Sequence, residues 1–252
     1  MIRREFLTTG LGLAGTLLVP AVTAAVRPAK YRAVAFDAFP VFDPRPIAAR
    51  CEALFPGRGS ELAGMWRTRQ FEYAWLRAVA NRYADFERIT DDSLTFAARA
   101  LNLEMTAEKR EQLLRVHFEL AAWPDAMPVL TKLRDAGLRL AFLSNMTHEM
   151  LEANIRSAGL AGMFDEVLST DQRKNYKPDP KAYQIGIDAL RLRREDILFV
   201  AFAGWDAAGA KSFGYPTFWL NRANQPPEEL GVVADATGPG MAELVAFALQ
   251  SR

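Results

Sequence analysis

The chain contains a single cysteine, Cys51, and two histidines, His117 and His148. One thiol excludes an intramolecular disulfide, and none of these three side chains stands at metal-ligand spacing from another. Cys51 falls in a helical stretch and is expected to pack rather than react. No charge dominates: 31 Lys and Arg against 30 Asp and Glu leave a formal net charge of +1, with the signs interspersed. Such a balance lacks the basic footprint of a nucleic-acid binder. Internal repeats and low-complexity tracts are absent, and the apolar stretch from Thr8 to Val19 falls short of a membrane span.

With 252 residues, 50% of them hydrophobic, the chain can bury a full core and carry one domain plus an insertion. At its start, Arg3-Arg4 precede the Thr8 to Val19 run, and Pro20 and the small residues Ala21-Val22-Thr23-Ala24-Ala25 follow. Twin arginines, a short apolar region and a small-residue cleavage zone fit a twin-arginine export signal over residues 1–25, cut near Ala24. The expectation is a periplasmic protein that meets the membrane only during export.

Beyond residue 30, short apolar runs end abruptly on polar side chains. Ala33-Val34-Ala35-Phe36 ends on Asp37, Leu138 to Leu143 ends on Ser144-Asn145, and Ile197 to Ala203 leads into Gly204-Trp205-Asp206. Such runs predict buried parallel strands, and ligands of open α/β sheets sit at the carboxyl ends of those strands. Asn175-Tyr176-Lys177-Pro178-Asp179-Pro180 places a lysine just before a proline-started helix, within reach of the same rim. Helical segments alternate with the runs from Asp125 onward, which argues for a parallel sheet with helices on both faces. Residues 44–123 carry no strand run. Apolar positions at helical spacing there, among them Ile47, Leu54, Trp66, Phe71, Trp75, Leu76, Val79, Leu94, Leu101 and Leu113, predict a helical insert. The organisation is thus a discontinuous core, 30–43 and 124–252, with a cap at 44–123.

Taken singly, these residues have plainer readings. Asp37 fits a turn or helix cap, Lys177 a solvated loop, and Arg67 a solvated helix face. Their order is more specific. Asp, Ser, Lys and Asp at successive strand ends resemble the haloacid dehalogenase superfamily. The stretches Arg50 to Gly59, Trp66-Arg67, Glu72 to Arg77 and Asn81-Arg82-Tyr83 resemble the cap of its L-2-haloacid dehalogenase group.

That resemblance implies an α/β fold, a Rossmann-like parallel core with an inserted α-helical cap. It also implies hydrolytic dehalogenation of a small (S)-2-haloalkanoic acid or haloacetate through an aspartyl ester. Asp37 would be the nucleophile, Lys177 and Ser144 would hold charges in place, and Asp206 would activate water. Arg67 and Asn145 would receive the halide, with Phe39, Phe71, Phe86 and Trp205 as pocket walls and Tyr183 as a hydrogen-bonding partner. Superfamily phosphatases carry a second aspartate where Phe39 stands, and further acids where Gly204 and Trp205 precede Asp206. The resemblance therefore implies no magnesium cage and no cofactor. Three departures stand out: Pro40 replaces a threonine in a shortened nucleophile loop, and Ala201 and Ala203 replace a serine and an asparagine. Asp206 then either works less well as a base or relies on different neighbours. The related enzymes commonly dimerise, which leaves a homodimer open. The alternatives are a relative that binds small carboxylates without turning them over, and a hydrolase for another small electrophile.

Overall fold

The structure, a computed structural model, describes residues 30–250. The expected export signal at residues 1–25 lies outside the described residues. Strand β1 (Ala33–Phe36) is buried at every position, as expected of a central parallel strand covered on both faces. It lies between β2 (Arg139–Ser144) and β4 (Ile197–Ala201), with β3 (Glu166–Ser169) beyond β2. On the other side β5 (Thr217–Leu220) and β6 (Ala236–Gly238) complete a six-stranded parallel sheet of order β3-β2-β1-β4-β5-β6. Phe36 pairs with Phe142 and with Val200, so the carboxyl ends of β1, β2 and β4 reach the same rim. The strand order reverses beside β1, and that switch point is where open α/β sheets leave a crevice for ligands.

Strand residues alternate between two cores, as the pleat requires. Val34 and Phe36 pack under α6 (Ala126–Asp135), α7 (His148–Ser157) and α10 (Met241–Ala248). Ala33 and Ala35 face the opposite core, with α8 (Pro180–Leu190) and α9 (Gly204–Phe213).

Between β1 and α6 the chain leaves the sheet through a single turn, α1 (Ala38–Val41), and builds the cap from α2 (Arg45–Leu54), α3 (Gly59–Val79), α4 (Phe86–Ala100) and α5 (Ala107–Arg115). The exit and return strands of the neck touch at an antiparallel bridge between Phe42 and Ala122. Cys51, Phe55, Leu62, Trp66, Leu94 and Leu113 form a separate cap core. Burial there pushes the Cys51 thiol up to about 11, which leaves it a packing group. Gly59 lets α3 start hard against α2, since a Cβ would come within 2.2 Å of the Glu52 backbone. The apolar stripe of α3 outruns this core: Leu76 and Val79 are 63% and 85% exposed. Cap and core are clasped by two hydroxyls, Tyr83 donating to Asp171 at 2.6 Å and Tyr176 donating to the Ala84 carbonyl at 2.5 Å.

Candidate active site

Asp37 follows β1 and caps α1, so its carboxylate is fixed on the sheet rim by the same turn that redirects the chain into the cap. Its Oδ1 accepts from Lys177 Nζ at 2.8 Å, while among the described residues Oδ2 receives only the Phe39 amide at 3.3 Å. Asp206 sits in the first turn of α9, beyond β4, and its Oδ2 accepts from the same ammonium at 2.7 Å. Lys177 therefore bridges the two carboxylates, with its side chain 1% exposed. Such burial alone would depress a lysine, but the charges of Asp206 and Asp37 hold it above its ordinary value. The loop is pinned from two sides: Asn145 Oδ1 accepts the Lys177 amide at 3.0 Å, and Trp75 of the cap donates to the Lys177 carbonyl at 3.1 Å.

Asp206 moves the other way, up to about 6. Burial is the first cause. One ammonium cannot neutralise two carboxylates, and the charge of Asp37 adds to the rise against the pull of Lys177 and Tyr183. Tyr183 donates to Asp206 Oδ1 at 2.7 Å. Burial, then the charge of Asp206, push this phenol well above the usual tyrosine range, so it keeps its proton. Where Ala201 and Ala203 replace a serine and an asparagine, Asp206 is held instead by Tyr183 and Lys177.

Around Asp37 three donors are left over. Arg67 forms no hydrogen bond or ion pair with any described residue; desolvation lowers it, opposed by the charge of Asp37, although one flank stays open to solvent. The Asn145 amide spends Oδ1 on Lys177 and Thr170, and its buried Nδ2 has no partner. Ser144 accepts from the Met146 amide at 3.2 Å, and its own hydroxyl donates to no described residue. Arg67, Asn145 and Ser144 line one small chamber of about 20 Å³ together with Asp37 and Asp206. That is space for about one water-sized group. Phe71, Phe86 and Trp205 wall it, the Phe71 and Trp205 rings meeting edge to face at 5.3 Å. Phe39 adds a further wall.

Ten of the residues named from sequence thus meet at one chamber or, in the case of Lys177, bridge its two carboxylates. Tyr183 does not. It is buried behind Asp206 and absent from the chamber wall, so it is a positioning residue rather than a substrate contact. Its hydroxyl belongs to α8 and reaches α9 only because Gly209 leaves room: a Cβ there would lie 2.6 Å from that hydroxyl. Sequence reading missed Met146, Phe202 and the anchor Trp75. The signal for Trp75 was present, since it lies four residues after Phe71 on the same helical face. Among the described residues no group of three His, Cys, Asp or Glu side chains is placed to hold a metal ion.

The profile of haloacid dehalogenase-like hydrolases matches residues 12–214. The (S)-2-haloacid dehalogenase of Pseudomonas sp. (strain YL) is 41% identical over 205 residues, which span 81% of this chain and 88% of that protein. A solved L-2-haloacid dehalogenase at 42% identity superposes with a TM-score of 0.86, covering 88% of this chain and 100% of its own. The L-2-haloacid dehalogenase of Xanthobacter autotrophicus with chloropropionic acid covalently bound superposes with a TM-score of 0.80 at 31% identity, over 86% of this chain and 98% of that one. The chain belongs to the haloacid dehalogenase-like hydrolase family.

Proposed function

We propose that this protein hydrolyses small (S)-2-haloalkanoic acids to 2-hydroxy acids through an ester on Asp37. The observation that carries the reading is the set of unpartnered donors around a carboxylate whose Oδ1 is held by an ammonium and whose Oδ2 meets a backbone amide at 3.3 Å. Oδ1 of Asp37 is held by Lys177, which leaves Oδ2 to attack C2 from the face opposite the halogen. The C–O bond forms as the carbon–halogen bond breaks, and the halide departs with its electron pair toward Arg67 and Asn145 Nδ2. Ser144 is left to hold the substrate carboxylate. Water then adds to the Asp37 carboxyl carbon, giving up a proton to Asp206. The acyl–oxygen bond breaks as Asp206 returns that proton to the leaving alkoxide, which departs as the inverted hydroxy acid, and the regenerated Asp37 carboxyl loses its proton to solvent. Asp206, ionised at neutral pH and held by Lys177 and Tyr183, is placed to take the proton of the water. The covalently bound chloropropionic acid of the Xanthobacter relative supports the two-step scheme.

Halide release from chloro- and bromo-acids, in the presence of a chelator, tests the proposal. Arg67→Ala should cost about 2–4 kcal/mol in the displacement barrier, as loss of an aimed donor does, and leave the thermal melt unchanged. Near-normal release by this variant would place Arg67 outside the reaction, and binding of haloacids without any release would favour the carboxylate-binding alternative.

The proposal includes export. Arg3-Arg4, the Thr8 to Val19 run and the small residues to Ala25 support twin-arginine passage to the periplasm. Changing both arginines to lysine should trap precursor in the cytoplasm; undiminished periplasmic protein would refute it.

A further inference from the structure

The chamber at Asp37 is small, yet it is not the end of the void. Phe39, Arg67, Phe71 and Phe202 also border a second cavity of about 330 Å³ on the far side of Arg67, between the core and cap helices α2 and α3. Its further walls include Ile47, Ala48, Ala63, Gly64 and Trp66, and it opens to solvent beside Ala48 and Gly64. The polar residues that border it are already committed or uncharged. Arg45 is paired with Asp43 and stacked on Trp123, and Gln70 donates to Thr90. His117 is buried against Trp66, and that burial pushes it down to about 4, so it is neutral at neutral pH. Arg67, at the junction of the two spaces, is left as the unpaired charge. The combined site is amphipathic, with an anion-binding head at Asp37 and an apolar body beyond it.

We infer that the outer cavity is a tail subsite, so that the substrate class extends to 2-haloalkanoic acids whose C2 substituent is a linear apolar chain. This rests on the haloacid reading of the site. An apolar chain entering the cavity leaves water at about 0.8 kcal/mol per methylene when burial is complete, a factor of about four. One side of the cavity is open, so two- to fourfold per methylene is expected. Gly64 offers a gentle way to fill it: it lies inside α3 at ordinary helical backbone angles, and a Cβ there meets no atom within 4 Å. Gly64→Leu also replaces a poor helix former with a good one.

The experiment measures calorimetric affinities of unreactive acetate, butyrate, hexanoate and octanoate for the native protein, Gly64→Leu and Ala48→Leu. Halide release from 2-bromopropionate and 2-bromohexanoate is followed alongside. Affinity should rise two- to fourfold per methylene until the cavity is full. Either variant should flatten that rise and lower kcat/KM for 2-bromohexanoate at least tenfold, with 2-bromopropionate unchanged. Affinity that is independent of chain length, or a rise that both variants leave intact, overturns the inference. Equal slowing of both bromo-acids in the variants also overturns it, because the cavity is then only an entrance. If the native protein releases no halide from either acid, the haloacid reading fails, and the unreactive carboxylates still decide whether the cavity takes tails.

Discussion

One ammonium between two carboxylates gives the Asp37, Lys177 and Asp206 cluster a net negative charge in a site with little solvent. The first proton taken up on acidification goes to Asp206, which burial and the charge of Asp37 raise to about 6 against the pull of Lys177. Ester formation changes this balance. Once Asp37 is alkylated it carries no charge, one cause of the rise at Asp206 disappears, and Lys177 is left to Asp206 alone. In the free protein Asp206 should take up its proton as pH drops through about 6, a step followed by infrared difference spectroscopy of the carboxyl band. In the esterified protein the acid limb for ester decay should lie at lower pH, measured in single-turnover experiments. Coincident midpoints would show that the two carboxylates do not sense each other. At this scale much was legible. Asp37, Ser144, Asn145 and Asp206 stand directly beyond apolar runs, so their place on the rim follows from strand direction. Lys177 was placed by its proline-bounded loop, although nothing local shows that its side chain is buried. The leftover donor of Asn145 was not visible, since it depends on which contacts the other end of the amide makes.

Helices α8 and α9 approach closely at Gly209, and this contact rather than any rim loop puts the Tyr183 hydroxyl on Asp206. Tyr183→Phe should leave the first equivalent of halide almost unchanged and slow ester decay about ten- to hundredfold, consistent with loss of a hydrogen bond to a charged group of about 1.5–3 kcal/mol. It should also shift the pH dependence of ester decay to higher pH, because Tyr183 holds Asp206 down. A purely structural tyrosine would lower stability and leave the pH dependence in place. Helix-to-helix packing of this kind has no signature in a single sequence, which is why the sequence marks Tyr183 as a hydrogen-bonding partner without showing that its partner is Asp206. The same limit explains the elements missed at the end of the chain. Strand β6 is only Ala-Thr-Gly, without the β-branched or aromatic run that marks a strand, and it is defined by pairing with β5. Conversely, the stripe of α3 was visible at full length, yet its last turns extend past the cap core and leave Leu76 and Val79 exposed.

For the whole molecule, the parallel core supplies Asp37, Lys177 and Asp206, while the cap supplies Arg67 and, with Phe71 and Phe86, part of the aromatic wall. Two elements of the cap, α3 and the Tyr83 loop, reach across to the core, through Trp75 to the Lys177 carbonyl and through Tyr83 to Asp171. The cap thus holds the lysine loop as well as covering it. This division was readable as a change of period, strand runs giving way to helical spacing between residues 44 and 123. No described helix is long and apolar enough to cross a membrane. The central claim is that Asp37 is alkylated and Asp206 assists its release, and mass analysis of the Asp206→Asn variant after reaction with 2-chloropropionate tests it most directly. Up to one halide per site should be released before a stall, with the acyl remnant as a mass increment on the tryptic peptide containing Asp37. An unmodified Asp37 peptide in the stalled protein, or multiple turnovers of halide release by Asp37→Asn, would contradict it.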